Sequence, residues 1–207
     1  MEQHSGIILK KLSYSEADEI ITVLFKGIGI KRLFVRGSRK SKKRFGGLID
    51  HFAHLKFFFS SHNKGLSSLT SVEEFHESMQ RDLWTLGPNF AYASLLSEFI
   101  CEFTPEDGDD HGLYDLWLSL YNELKQKELT PDMATNYFIM FLRHVGYAPD
   151  FIEHFQEGHS QAVVDNEWMS LLTDLVSFAE KIMQKPSRAA PFFLSTLDPE
   201  NGAGDRR

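Results

Sequence analysis

The chain changes its hydrophobic rhythm near residue 72. Before that point, apolar side chains come in short β-branched and aromatic segments punctuated by glycine; after it, they recur with the 3.6-residue period of a helix face. The first part predicts strands near 6–12, 19–26, 30–36, 48–59 and 65–71. Gly27-Ile28-Gly29 is expected to turn the second strand into the third, because glycine accepts the positive φ that tight hairpins demand. Five short antiparallel strands predict a small barrel.

Beyond the change of rhythm, Gly87-Pro88 opens a stripe of Tyr92, Leu95, Leu96, Phe99, Ile100 and Phe103, with proline in the tolerated first turn. Asp109-Asp110 precede Leu113, Leu116, Trp117, Leu120, Tyr121 and Leu124, and their charge complements a helix N-terminus. Thr130-Pro131 starts a third helix through Met133, Tyr137, Phe138, Phe141, Leu142 and Val145, with Gly146 placed to cap its end. A fourth runs from Trp168 to Met183 and is stopped by Pro186. The rest reads as a frayed tail. The expected class is therefore α+β: a five-stranded barrel domain at 1–72, an all-α helical domain at 73–185, and a disordered tail at 186–207.

Composition adds little until it is divided. The 207 residues carry 22 Lys and Arg against 29 Asp and Glu, a net charge of −7 that argues against a nucleic-acid partner. Yet residues 1–56 hold 12 basic and five acidic side chains, +7, and the remainder is −14, so the total is a cancellation. The single cysteine, Cys101, excludes an internal disulfide and a zinc site built on several cysteines. With an N-terminus lacking the basic and apolar regions of a signal peptide, and no apolar run of spanning length, a cytoplasmic, nucleoid-associated location is expected.

The most informative segment runs from Lys31 to Gly47, inside a stretch from 20 to 49 that contains no acid. Alternation on a strand points Leu33 and Val35 inward and Arg32, Phe34 and Arg36 outward together. Such a row suits a nucleic-acid strand, cations meeting phosphates and the ring offering a stacking surface to a base. Arg39, Lys40, Lys42, Lys43 and Arg44 then form a cationic finger, so the candidate DNA-binding residues are these five with Lys31, Arg32, Phe34 and Arg36. The competing reading is a solvated edge strand whose charge blocks aggregation.

Here the sequence resembles the bacterial recombination mediator family RecO. The likeness lies in Ile7-Ile8-Leu9, Tyr14-Ser15-Glu16-Ala17-Asp18, Val35-Arg36-Gly37-Ser38-Arg39-Lys40-Ser41 with Phe45-Gly46-Gly47-Leu48, Glu98-Phe99-Ile100 leading to Phe103-Thr104-Pro105-Glu106-Asp107-Gly108, and Phe141-Leu142 with Val145-Gly146-Tyr147-Ala148-Pro149-Asp150. The resemblance implies an oligonucleotide/oligosaccharide-binding (OB) barrel followed by a helical domain. It implies a non-enzymatic role in binding single- and double-stranded DNA, annealing complementary strands, and assisting RecA on DNA coated with single-stranded DNA-binding protein (SSB). Its partners would be RecR and the SSB C-terminal tail. Many relatives carry a zinc module with two Cys-x-x-Cys pairs after the Gly-Tyr-Ala-Pro-Asp signature. Here that stretch, 151–159, has no cysteine, so the module is expected to be missing and no cofactor is assigned.

Other features weigh less. Gly37 to Ser41 lacks the spacing of a phosphate-binding loop, and Gly27-x-Gly29-x-x-Arg32 fails the dinucleotide fingerprint at its third glycine. Glu106, Asp107, Asp109 and Asp110 suggest either a two-metal nuclease centre or, more simply, a helix N-terminus. His154, Glu157 and His159 are three scattered ligands without a fourth. His51 and His54 are expected on opposite faces of one strand, and Cys101 lacks an activating base. Among the few cations of the helical part, Arg143, after Phe141-Leu142 at a helix end, is the candidate for the carboxylates of an SSB tail. The rival function is a protein-binding adaptor on the same scaffold, whose basic strand serves only solubility.

Overall fold

The computed structural model describes residues 1–40, 45, 47–60, 66–75, 87–147 and 165–197. Lys42, Lys43, Arg44, His154, Glu157 and His159 lie outside the described residues, as does the stretch 151–159 where the zinc module would begin. The chain divides into two compact units, one of residues 1–82 with 104–115, the other of 83–103 with 116–207.

The first unit is a closed five-stranded barrel. Its strands are β1 (Glu2–Ser13), β2 (Glu19–Phe25), β3 (Gly29–Val35), β4 (His54–Ser60) and β5 (Ser67–Glu74), in the closed order β1-β2-β3-β5-β4. All pairings are antiparallel except β3 with β5, which run parallel through Leu33↔Ser67 and Phe34↔Ser68. Alternation sets the core: Leu55, Phe57 and Phe59 of β4 point inward with Leu33 and Val35 of β3, and pack with Ile8, Ile21, Val23 and Phe25. Phe25 anchors the centre, its ring 5.3 Å from those of both Phe57 and Phe59.

Two expectations fail within this unit. The fourth strand begins at His54 rather than residue 48, because the preceding segment turns: Leu48 N–H donates to the Phe45 carbonyl at 2.8 Å, and Asp50 N–H to the Leu48 carbonyl at 2.9 Å. Phe52 then takes φ 62°, outside the extended region, with its ring buried. His51 consequently lies in the turn and not on a strand. The other departure is that residues 104–115 return to the barrel, whereas the sequence assigns them to the helical domain.

The second unit is helical. It contains α1 (Gly87–Phe103), α3 (Pro131–His144), α4 (Asp165–Met183), α5 (Ala190–Leu197) and all but the first turn of α2 (Leu113–Leu124). The expected stripes are the buried ones, among them Tyr92, Leu96, Phe99 and Ile100 of α1, Phe138, Phe141 and Leu142 of α3, and Leu172 and Leu175 of α4. Thr130 flanks α3 in extended conformation, and the Val145 and Gly146 N–H groups close its end.

The expected tail is corrected here. Residues 190–197 form α5, and Phe193 is fully buried against Tyr92, ring centroids 5.1 Å apart. The anchor is Glu98 of α1, whose carboxylate accepts the Ser187 hydroxyl at 2.7 Å and the N–H groups of Arg188 and Ala189 at 3.0 and 2.9 Å. The two N–H groups are orphan donors at the entrance to α5, so a carboxylate from another helix caps it. Burial alone raises the Glu98 pKa, but these hydrogen bonds and the Lys185 charge outweigh it and hold the carboxyl below its usual range.

Candidate nucleic-acid interface

The β2–β3 hairpin forms because Gly27 and Gly29 take φ 73° and 66°, returning the chain so that Phe25 faces Gly29 and Ile20 faces Phe34. Along β3, Leu33 and Val35 are buried, Arg32 is exposed and Phe34 half-buried, so Arg32 and Phe34 alternate with the core residues onto the outer face. Arg36, expected on the same strand, is exposed in the turn just past its end.

The segment from Glu106 to Asp110 lies along the start of this strand. Asp107 N–H donates to the Ile30 carbonyl at 2.9 Å, and Ile30 and Glu106 form a parallel bridge. Gly29 permits that approach, since a Cβ there would stand 2.3 Å from the Gly108 carbonyl oxygen. Glu106 then takes Arg32: the Nε lies 3.0 Å from each carboxylate oxygen, Nη2 lies 2.9 Å from Oε2, and the Arg32 N–H donates at 3.2 Å. That bond, with the carboxylate charge, raises the Arg32 pKa. Lys31 pairs with Asp107. Asp110 accepts Gly27 N–H at 2.7 Å and Gly112 N–H at 3.0 Å, joining the hairpin to the start of α2. Each of these three carboxylates therefore has its own local partner. Among the described residues, no group of three or more His, Cys, Asp or Glu side chains could hold a metal, so the nuclease reading of this loop has no geometric support.

At the far end of β3 a second clasp forms. Asp18, in the turn between β1 and β2, accepts Gly37 N–H at 2.8 Å and the Ser15 hydroxyl at 3.0 Å. Those bonds, aided by the charges of Arg36 and Lys40, lower its pKa. Arg39 donates its backbone N–H to the Ala17 carbonyl and its Nη1 to the Ser15 carbonyl, each at 3.1 Å. Lys40 lies 3.7 Å from Glu16. Tyr14, the first residue of this turn, sets its ring at 87° to that of Phe34, centroids 5.6 Å apart. A cleft of about 180 Å³ lined by Lys11, Glu19, Ser38, Arg39 and Phe45 opens beside the clasp.

Of the nine sequence candidates, Arg32 and Phe34 share one face of β3, Lys31 is turned to an acid, and Arg36, Arg39 and Lys40 are exposed in the turn past the strand end. Tyr14 and the acids Glu106 and Asp107 belong to the same surface, and sequence reasoning gave none of them this role. A signal for Tyr14 existed in Ser15-x-x-Asp18, a turn motif whose side chains bond locally and fix what precedes it. The pairing of Glu106 with Arg32, 74 residues apart, leaves no local signature.

Elsewhere in the barrel unit, His54 and Tyr114 share a 2.6 Å hydrogen bond, with Phe75 stacked on the imidazole at 4.4 Å. Burial lowers the His54 pKa to about 4 and raises that of Tyr114 to about 12. In the helical unit, Arg143 is exposed in the last turn of α3, next to the buried Phe141 and Leu142. No helix among the described residues is long and apolar enough to cross a membrane.

Comparison with known proteins matches two stretches of the chain in order. Residues 1–76 match the family model for the recombination protein O N-terminal region, and residues 87–173 match that for its C-terminal region. The chain is 29% identical over 151 residues to the DNA repair protein RecO of Syntrophus aciditrophicus, covering 70% of this chain and 55% of that protein. It is 30% identical over 152 residues to the RecO of Thermodesulfovibrio yellowstonii, covering 70% and 58%, and 28% identical over 141 residues to that of Listeria monocytogenes, covering 68% and 53%. The matches thus span little more than half the length of these relatives. With models for both regions of one family matched in sequence order, the chain belongs to the RecO family.

Proposed function

We propose that this protein is a DNA repair and homologous recombination mediator that binds single- and double-stranded DNA, anneals complementary strands, and assists RecA loading on SSB-coated DNA. The observation that carries the reading is the outward pair Arg32 and Phe34 on β3, followed past the strand end by the exposed Arg36, Arg39 and Lys40, on a barrel of the RecO family. Annealing needs no bond chemistry: a cationic surface screens the repulsion between two phosphate backbones while the bases pair. The protein is accordingly read as a non-enzymatic mediator without a cofactor or a cysteine zinc module. The strand order, with β1 joined to both β2 and β4 and β3 parallel to β5, supports assigning the barrel to the OB fold.

Lys42, Lys43 and Arg44 are proposed to extend the contact. RecR and the SSB tail are the proposed protein partners, the tail's carboxylates meeting Arg143. Near it, the half-buried Phe103 carries the exposed Tyr147 ring, centroids 5.3 Å apart, and the buried Phe141 ring at 5.7 Å, an apolar complement to a hydrophobic tail. The test is annealing of complementary strands coated with SSB. The wild-type protein should accelerate it, and Arg32→Glu with Arg36→Glu should slow it for all sequences alike; no acceleration by the wild type contradicts the reading.

One observation favours a second reading. Glu106 and Asp107 already neutralise Arg32 and Lys31, as in an adaptor whose basic strand is held for structure alone. A gel shift at low salt separates the two, since the adaptor forms no DNA complex even there.

A further inference from the structure

Tyr14 is 65% exposed, yet its setting is rigid. Its N–H donates to the Asp18 carbonyl at 3.0 Å, and the turn it opens is tied to residues 37–39 by the Asp18 carboxylate and by both Arg39 bonds. Its neighbour Phe34 sits on a strand paired on both sides, to Ile20 of β2 and Ser68 of β5. The two perpendicular rings therefore make a corner on the barrel surface, on a backbone held from both sides, at the end of β3 that leads into Arg36, Arg39 and Lys40. Packing does not call for this arrangement, because the barrel core is complete on the other face of β3, around Leu33 and Val35.

We infer that Tyr14 and Phe34 form a step on which an unpaired base of a single-stranded nucleic acid stacks, with the adjoining phosphates on Arg36, Arg39 and Lys40. The inference rests on the nucleic-acid reading and adds a preference to it. Inside a duplex both faces of a base are covered by its neighbours, so only a single strand offers a free face to an aromatic ring. Cations at both ends of β3 have acidic neighbours, Glu106 and Asp107 at one end, Glu16 and Asp18 at the other, and the Tyr14 end adds an exposed aromatic ring to them. Stacking of this kind is tolerant of sequence, because every base has a π-face.

Fluorescence anisotropy with three labelled probes tests the step: an oligothymidylate, an abasic strand of equal length, and a duplex, each titrated with the wild type, Tyr14→Ala and Tyr14→Phe. The wild type should bind oligothymidylate more tightly than the abasic strand. Tyr14→Ala should weaken oligothymidylate binding at least about fivefold and leave the abasic strand, the duplex and the salt slope unchanged, since stacking releases no counterions. Tyr14→Phe should retain wild-type binding. Equal loss on all three probes, or none on any, overturns the step, as does an unfolding temperature for Tyr14→Ala that falls in parallel with its binding. If the wild type binds no probe, the nucleic-acid reading itself fails; if it binds all three and Tyr14→Ala changes nothing, only the stacking step does.

Discussion

Arg32 and Glu106 meet fork to fork across 74 residues of chain, the guanidinium Nε 3.0 Å from both carboxylate oxygens and Nη2 2.9 Å from Oε2. A carboxylate in this position takes the donors a phosphate would use. Both side chains remain partly in solvent, so the pair is an exchangeable contact of modest strength. Glu106→Gln combined with Asp107→Asn should tighten DNA binding a few-fold and steepen the fall of log K with log salt by about 0.7 for each cation released onto a single strand. Unchanged affinity and slope would show that DNA does not reach this end of β3.

Gly29 controls the same contact from the backbone. At φ 66°, with the Gly108 carbonyl in the space a Cβ would fill, Gly29→Ala combines strain with a clash and should lower stability by about 1–3 kcal/mol. It should also push the acidic segment off β3, so its DNA affinity, measured below its lowered unfolding temperature, should rise as in the charge-neutral double variant.

The capping of α5 by Glu98 makes residues 187–197 part of the fold. Glu98→Gln should cost about 2 kcal/mol, through loss of charge-assisted bonds to three donors. Phe193→Ala should cost about 3–5 kcal/mol, as a buried aromatic replaced by a cavity. Urea unfolding of both variants checks this, and wild-type midpoints would mean the segment is not docked.

His54 predicts a pH dependence. Its folded pKa of about 4 is below the ordinary value near 6.5, so between those values the unfolded chain binds more protons and stability rises with pH. The unfolding midpoint should therefore fall as pH is lowered from about 6.5 to about 4. His54→Phe should flatten this window in a thermal-shift pH series, apart from the effect of the carboxylates titrating at its acid end.

Much of the architecture is legible because it is periodic. Leu55, Phe57 and Phe59 alternate as one strand face, and Tyr92, Leu96 and Phe99 recur as one helix face; burial of apolar surface enforces both patterns. The failures share a cause, in that each depends on a partner distant in sequence or on a backbone state that alternation does not encode. Phe52 lies within the expected strand 48–59 yet takes a left-handed φ. The segment 187–197 carries only a short local signal, Ser187 accepting the Ala190 N–H at 3.0 Å, and the rest of its cap comes from Glu98, 90 residues before Arg188. The outward pair on β3 is visible from spacing alone, whereas the acids that hold its first cations come from a segment some 74 residues further along the chain, and the tyrosine at its other end comes from the turn between β1 and β2.

The central claim is that this barrel face holds a nucleic-acid strand through its phosphates, and the salt dependence of single-strand binding tests it most directly. With about five cations in contact, log K should fall against log salt with a slope of roughly −3.5, made shallower by Arg36→Glu with Arg39→Glu. A wild-type slope near zero, or no complex at low salt, would contradict it.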